Sequence, residues 1–74
     1  MKVTVQLDAS GRRGKKVTVI KGITHNPQVI QDLTLRLKRA CGSGGTIKGK
    51  TIELQGDHVN KAKAFLTKEG YLIT

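Results

Sequence analysis

Apolar and polar residues alternate at the start of the chain, where Thr4 and Gln6 separate Val3, Val5 and Leu7. A second alternating run sets Val17, Val19 and Lys21 against Thr18 and Ile20. A period of two is the signature of a strand, so the two runs predict a β-hairpin. Their connection is longer than a two-residue turn and should project from the sheet as a finger.

Asn26-Pro27 then marks a helix start. The asparagine side chain can accept from a free N–H of the first turn, and proline in the first helical position sacrifices no hydrogen bond. Ile30, Leu33, Leu37 and Ala40 or Cys41 recur at helical spacing with Val29 beside them, predicting a helix over 27–41 whose apolar stripe faces a sheet. Leu35, Lys38 and Arg39 then point outward, and Leu35 beside the two cations is a candidate contact surface. Gly42 ends the helix. Thr46 to Lys48 and Thr51 to Gln55 read as a second hairpin turning at Gly49. Asp57 is expected to cap a second helix carrying Val59, Ala62, Phe65 and Leu66 on its apolar stripe. Gly70 should end it, and Tyr71-Leu72-Ile73 should form a short last strand.

The order β-β-α-β-β-α-β predicts an α+β fold, an open-faced α/β plait with a mixed sheet of about five strands and both helices on one face. No linker, repeat or internal boundary interrupts residues 1–74, which read as a single domain. The uncovered face should be polar, with Thr4, Gln6, Thr18, Glu53 and Gln55 as its candidates.

Seventy-four residues lie close to the lower limit for a core that holds without disulfides or metal. The single Cys41 excludes an internal disulfide and is expected to be a small buried residue. With only two histidines, both far from it in sequence, the chain has no zinc-ligand pattern, and no metal or cofactor is expected. The alternating start lacks the apolar stretch of a signal peptide, and no apolar run reaches the roughly 20 residues that span a bilayer. A cytoplasmic, monomeric protein without a membrane partner is the expectation.

Charge supplies the strongest functional clue. Fourteen Lys and Arg residues against five Asp and Glu give a formal net charge of +9. No acidic residue falls between Asp8 and Asp32, or between Asp32 and Glu53, so the cations are clustered in sequence rather than mixed with acids. The densest run is Gly11-Arg12-Arg13-Gly14-Lys15-Lys16, inside the first hairpin loop. Glycine lets a backbone approach a partner closely, and Arg and Lys donate to phosphate oxygens. Basic runs can be plain solvated surface, but clustering of this kind raises a local potential suited to nucleic acid. Phe65 and Tyr71 are the only aromatic residues, and Phe65 is assigned to the core. A base-stacking platform is therefore not expected, and recognition of folded RNA through phosphates, sugars and shape is the expected mode.

Two catalytic readings fail on spacing. A phosphate-binding P-loop needs Lys-Ser or Lys-Thr and a helix after its last glycine, whereas Gly45 leads through Thr46 into a strand. Asp57 and His58 are neighbours at a helix start and diverge, so they do not make an acid–base pair, and no nucleophile with a base partner is visible. The chain does not read as an enzyme. His25, ahead of the Asn-Pro cap, is expected at the surface.

Three blocks together carry a family resemblance: the basic loop with Val17-Thr18-Val19-Ile20-Lys21-Gly22-Ile23, the turn Cys41-Gly42-Ser43-Gly44-Gly45-Thr46, and Gln55-Gly56-Asp57-His58. From about Gly11 to Tyr71 the chain resembles the translation initiation factor one family, the Sui-type factors of eukaryotes and archaea with stand-alone bacterial relatives. Its Gly-Gly turn and compact length are more similar to bacterial or archaeal members, and the family's basic residue after the Gln-Gly-Asp-His block is here Val59. The resemblance implies binding to the small ribosomal subunit near the decoding site, with ribosomal RNA as partner, and help in discriminating start codons and initiator tRNA on mRNA. Carried onto this chain, the RNA-binding residues are Arg12, Arg13, Lys15 and Lys16 in the loop and Lys38 and Arg39 on the first helix. A general RNA- or DNA-binding module using the same cations is the alternative, and a small plait-fold hydrolase or regulator the third.

Overall fold

The structure is a computed structural model that describes residues 1–9 and 15–74. Its elements are β1 (Lys2–Asp8), β2 (Val17–Lys21), α1 (Pro27–Cys41), β3 (Gly45–Lys48), β4 (Thr51–Gln55), α2 (Val59–Lys68) and β5 (Leu72–Ile73). They form an α+β plait, with a mixed five-stranded sheet in the order β3-β4-β2-β1-β5. Antiparallel pairing joins β1 to β2, β2 to β4 and β3 to β4, while β5 lies parallel to β1.

Directly paired residues share a sheet face, so the register sorts the side chains. Val5, Ile20, Ile52 and Ile47 are aligned across four strands, as are Gln6, Val19, Glu53 and Thr46. The first set faces the helices. Val3, Ile20, Ile52 and Leu54 meet Ile30, Leu33, Leu37 and Cys41 of α1 and Ala62 and Leu66 of α2 in one core. Each wholly buried Ile or Leu contributes about 1.5–3 kcal/mol relative to exposure.

α1 begins where the local signals put it. Asn26 Oδ1 accepts from Val29 N at 3.0 Å. The helix ends at Gly42, whose φ of 64° satisfies the left-handed cap that a Cβ would resist. α2 closes with a reciprocal pair of bonds, Gly70 N to Thr67 O at 3.0 Å and Tyr71 N to Leu66 O at 3.0 Å, which turns the chain into β5.

Two expectations need correction, the face of Thr18 and the cap of α2. Thr18 is not on the open face: it pairs with Leu7 and Leu54 on the helix side and is completely buried. Its hydroxyl donates to Gly56 O at 2.8 Å and accepts from His58 N at 2.8 Å. Val17 and Val19 occupy the open face instead, yet are only 8% and 7% exposed because β2 is the central strand, flanked on both sides. Leu7 shares the helix side with Thr18 but is 41% exposed near the end of β1. Asp57 does not occupy the cap of α2. That position is His58, whose own N–H is claimed by Thr18, and Asp57 Oδ1 reaches Val59 N only at 3.5 Å.

Candidate nucleic-acid interface

The ends of the elements decide which cations meet. Val17, at the start of β2, pairs with Gln55, at the end of β4. Gly45, at the start of β3, pairs with Leu54. Because α1 leads into β3 through Gly42, Ser43 and Gly44, its last turn lies at the same end of the sheet as the base of the first hairpin loop. Two backbone bonds clasp that end: Gly56 N donates to Lys16 O at 2.7 Å, and Gln55 N donates to Gly44 O at 2.9 Å. The end of β4 is thus held between Lys16 on one side and the glycine turn on the other.

Four of the six sequence-predicted cations are brought to this end. Lys15 and Lys16 are exposed immediately before β2, and Lys38 and Arg39 stand in the last turn of α1. Arg12 and Arg13 lie outside the described residues. Lys38 is half-buried because its stem runs across Gly45, where a Cβ would come within 3.5 Å of Lys38 Cγ and 2.8 Å of Glu53 O. Glycine at 45 therefore lets the helix end sit close against the sheet. The glycine turn serves chain geometry here, with Gly42 N and Ser43 N both donating to Lys38 O.

Asp32, Glu69 and Glu53 are engaged elsewhere. Asp32 and Glu69 both pair with Arg36, whose guanidinium also lies 5.4 Å from the centre of the Phe65 ring. Glu53 pairs with Lys48 at 3.6 Å across the open face. Among the described residues no carboxylate pairs with Lys15, Lys16, Lys38 or Arg39. Arg36, by contrast, joins the two helices.

A cleft of about 460 Å³ opens at this end, lined by Lys15, Lys16, Val17, Gln55 and Gly56. Neither Gln55 nor Gly56 is among the RNA-binding residues that the sequence suggests. Their role in forming the cleft depends on β4 lying beside β2, which no local pattern reports.

The acid–base reading of Asp57 and His58 gains no support, since no hydrogen bond joins their side chains among the described residues. No group of three or more His, Cys, Asp or Glu residues that could hold a metal occurs among the described residues. His25 is half-buried rather than superficial. Its Nε2 lies 2.9 Å from the Tyr71 hydroxyl, with the rings edge-on at 5.9 Å and 79°. Burial pushes the Tyr71 hydroxyl pKa up, with Glu69 adding to the rise and Arg36 opposing it. Burial likewise raises the Cys41 thiol, partly offset by Lys61. Both groups therefore stay neutral and structural at ordinary pH. No helix among the described residues is long and apolar enough to cross a membrane.

Comparison with known proteins gives a consistent result. The family model described as translation initiation factor SUI1 matches residues 1–72. A protein of Methanopyrus kandleri named protein translation factor SUI1 homolog is 49% identical over 61 residues, covering 81% of this chain and 58% of its own length. An uncharacterized protein of Synechocystis is 46% identical over 69 residues, covering 93% of this chain and 62% of its own. The uncharacterized protein YciH of Salmonella typhimurium is 41% identical over 68 residues, covering 92% and 63%. The chain thus spans about three fifths of the length of these curated relatives.

Proposed function

The chain belongs to the translation initiation factor SUI1 family, and we propose that it docks on the small ribosomal subunit through ribosomal RNA phosphates and assists discrimination of the start codon or initiator tRNA. The observation that carries this reading is the meeting of Lys15 and Lys16 with Lys38 and Arg39 at one end of the sheet, none of them paired to a carboxylate among the described residues. Arg12 and Arg13, one glycine before that lysine pair in sequence, complete the cationic set.

Docking is electrostatic and discrimination steric. Phosphate contacts fix register and orientation without reading sequence. The rigid plait then occupies volume that a mispositioned tRNA would need, so selectivity comes from exclusion. If the set neutralises about five phosphates, the counter-ion slope is roughly −4 to −5, and affinity falls about two to three orders of magnitude between about 50 and 200 mM salt.

Co-sedimentation with purified small subunits tests the reading. Changing Arg12, Arg13, Lys15 and Lys16 together to Ala should flatten the salt slope by about 3–4 and abolish binding at physiological salt. Unchanged subunit affinity in this variant overturns the site assignment. Competition by unrelated RNA equal to that of the subunit overturns the ribosomal specificity.

A further inference from the structure

We propose that the cleft at the base of the first hairpin loop receives a single nucleotide of the bound RNA, its phosphate on Lys15 and Lys16 and its base against Val17 and the Gln55 amide. This rests on the RNA-binding reading and adds a built pocket to what would otherwise be a diffuse charged surface.

The cleft volume of about 460 Å³ falls within the roughly 300–1,000 Å³ of small-ligand sites and is far more than a lone phosphate needs. Its walls divide by chemistry. Lys15 and Lys16 supply two ammonium groups, Val17 an apolar wall that is itself 8% exposed, and Gln55 an amide able both to donate and to accept. Among the described residues no carboxylate lines it. An anion attached to a flat, hydrogen-bonding body matches this division better than an inorganic anion or an apolar ligand does.

The floor is fixed before any ligand arrives. Gly56 N donates to Lys16 O, and Gly56 O accepts from the buried Thr18 hydroxyl, so the backbone beneath the cleft is fully committed. The Gln55 side-chain amide is different: it is exposed and has no hydrogen-bond partner among the described residues. Gly56 keeps the floor open. Its φ of 95° is a left-handed conformation that side chains rarely adopt, and a Cβ there would press on His58 Nε2 at 2.9 Å. The His58 ring thus stands next to Gly56 at the start of α2.

The test is titration of the full chain, labelled with 15N, with the four nucleoside 5′-monophosphates and, separately, with inorganic phosphate. At least one nucleotide should shift the amides of Lys16, Val17, Gln55 and Gly56 saturably, and do so at lower concentration than phosphate. Gln55→Leu, at an exposed position, should weaken that nucleotide about fivefold, as expected for one lost neutral hydrogen bond. It should leave the salt slope for RNA unchanged, whereas Lys15→Ala should reduce the slope by about 1. Shifts matched by inorganic phosphate, or spread equally over Lys21 and Lys50, overturn the proposal and leave only an anion-attracting surface. Subunit co-sedimentation reports separately on the wider reading: retained subunit binding without a nucleotide response sinks the pocket alone, and lost subunit binding with a nucleotide response sinks the ribosomal role alone.

Discussion

Thr18→Val isolates the hydroxyl that joins the central strand to the start of α2. Valine matches threonine in shape, so the change removes two hydrogen bonds and leaves Gly56 O and His58 N without their partner. Each lost bond costs about 1 kcal/mol, and more if water cannot reach the orphaned group, while the added methyl returns about 0.8 kcal/mol. Both orphaned groups lie in half-buried residues, so partial rehydration holds the cost to about 1.5–2 kcal/mol per group and the net cost to about 2–3 kcal/mol. For a domain of this size each kcal/mol moves Tm by about 4–8 °C, which places the variant roughly 10–20 °C below the parent. Thr18→Ser keeps the hydroxyl and loses one methyl, so it should fall by about 1 kcal/mol. Urea unfolding followed by circular dichroism measures both variants. A valine variant within about 0.5 kcal/mol of the parent, or one more stable than the serine variant, would refute the reasoning, because the two bonds would then contribute nothing net.

Gly22→Ala should destabilise by more than about 2 kcal/mol, since residue 22 sits at φ 92° and a Cβ would lie 2.8 Å from Lys2 O, a backbone atom of β1 with little freedom to retreat. A thermal melt within a few degrees of the parent would contradict this. The raised pKa values of Cys41 and Tyr71 give a pH dependence with a definite sign. Both groups are neutral in folded and unfolded chains below their ordinary values. As pH rises past these values the unfolded chain ionises first, so stability falls until the folded groups ionise as well. Urea midpoints should therefore decline above about pH 8.5, and Cys41→Ala should shallow the first part of that decline. A flat profile through pH 11 would be inconsistent with both shifts.

What the sequence revealed of this fold was its local grammar. Asn26-Pro27 and Gly42 bracket α1 because capping and left-handed φ are settled by a residue and its immediate neighbours. The faces of β2 were not legible, because Val17, Thr18, Val19 and Ile20 are all buried and alternation loses its meaning in a central strand. Asp57 carried a valid capping signal that lost to a hydroxyl 40 residues away, and His25 found Tyr71 across 46 residues. The candidate site divides along the same line. Lys15 and Lys16 stood out by charge and Lys38 and Arg39 came with the family resemblance, but the cleft beside Gln55 and Gly56 exists only once β4 is laid against β2. Pairwise register between distant segments is what a single sequence conceals.

The parallel pairing of β5 with β1 has a consequence for synthesis. Lys2 faces Leu72, and Thr74 N reaches back to Val3 O at 2.9 Å, so contacts spanning some 70 residues hold the outer edge of β1. A chain emerging N-terminus first displays β1 long before its parallel neighbour exists, and closing so long a loop is slow compared with forming either helix. Until then β1 has a bare edge, the kind of surface on which strands from separate chains pair. The last few residues of the sheet, small as their buried area is, therefore determine how long a nascent molecule remains open to association with its own kind.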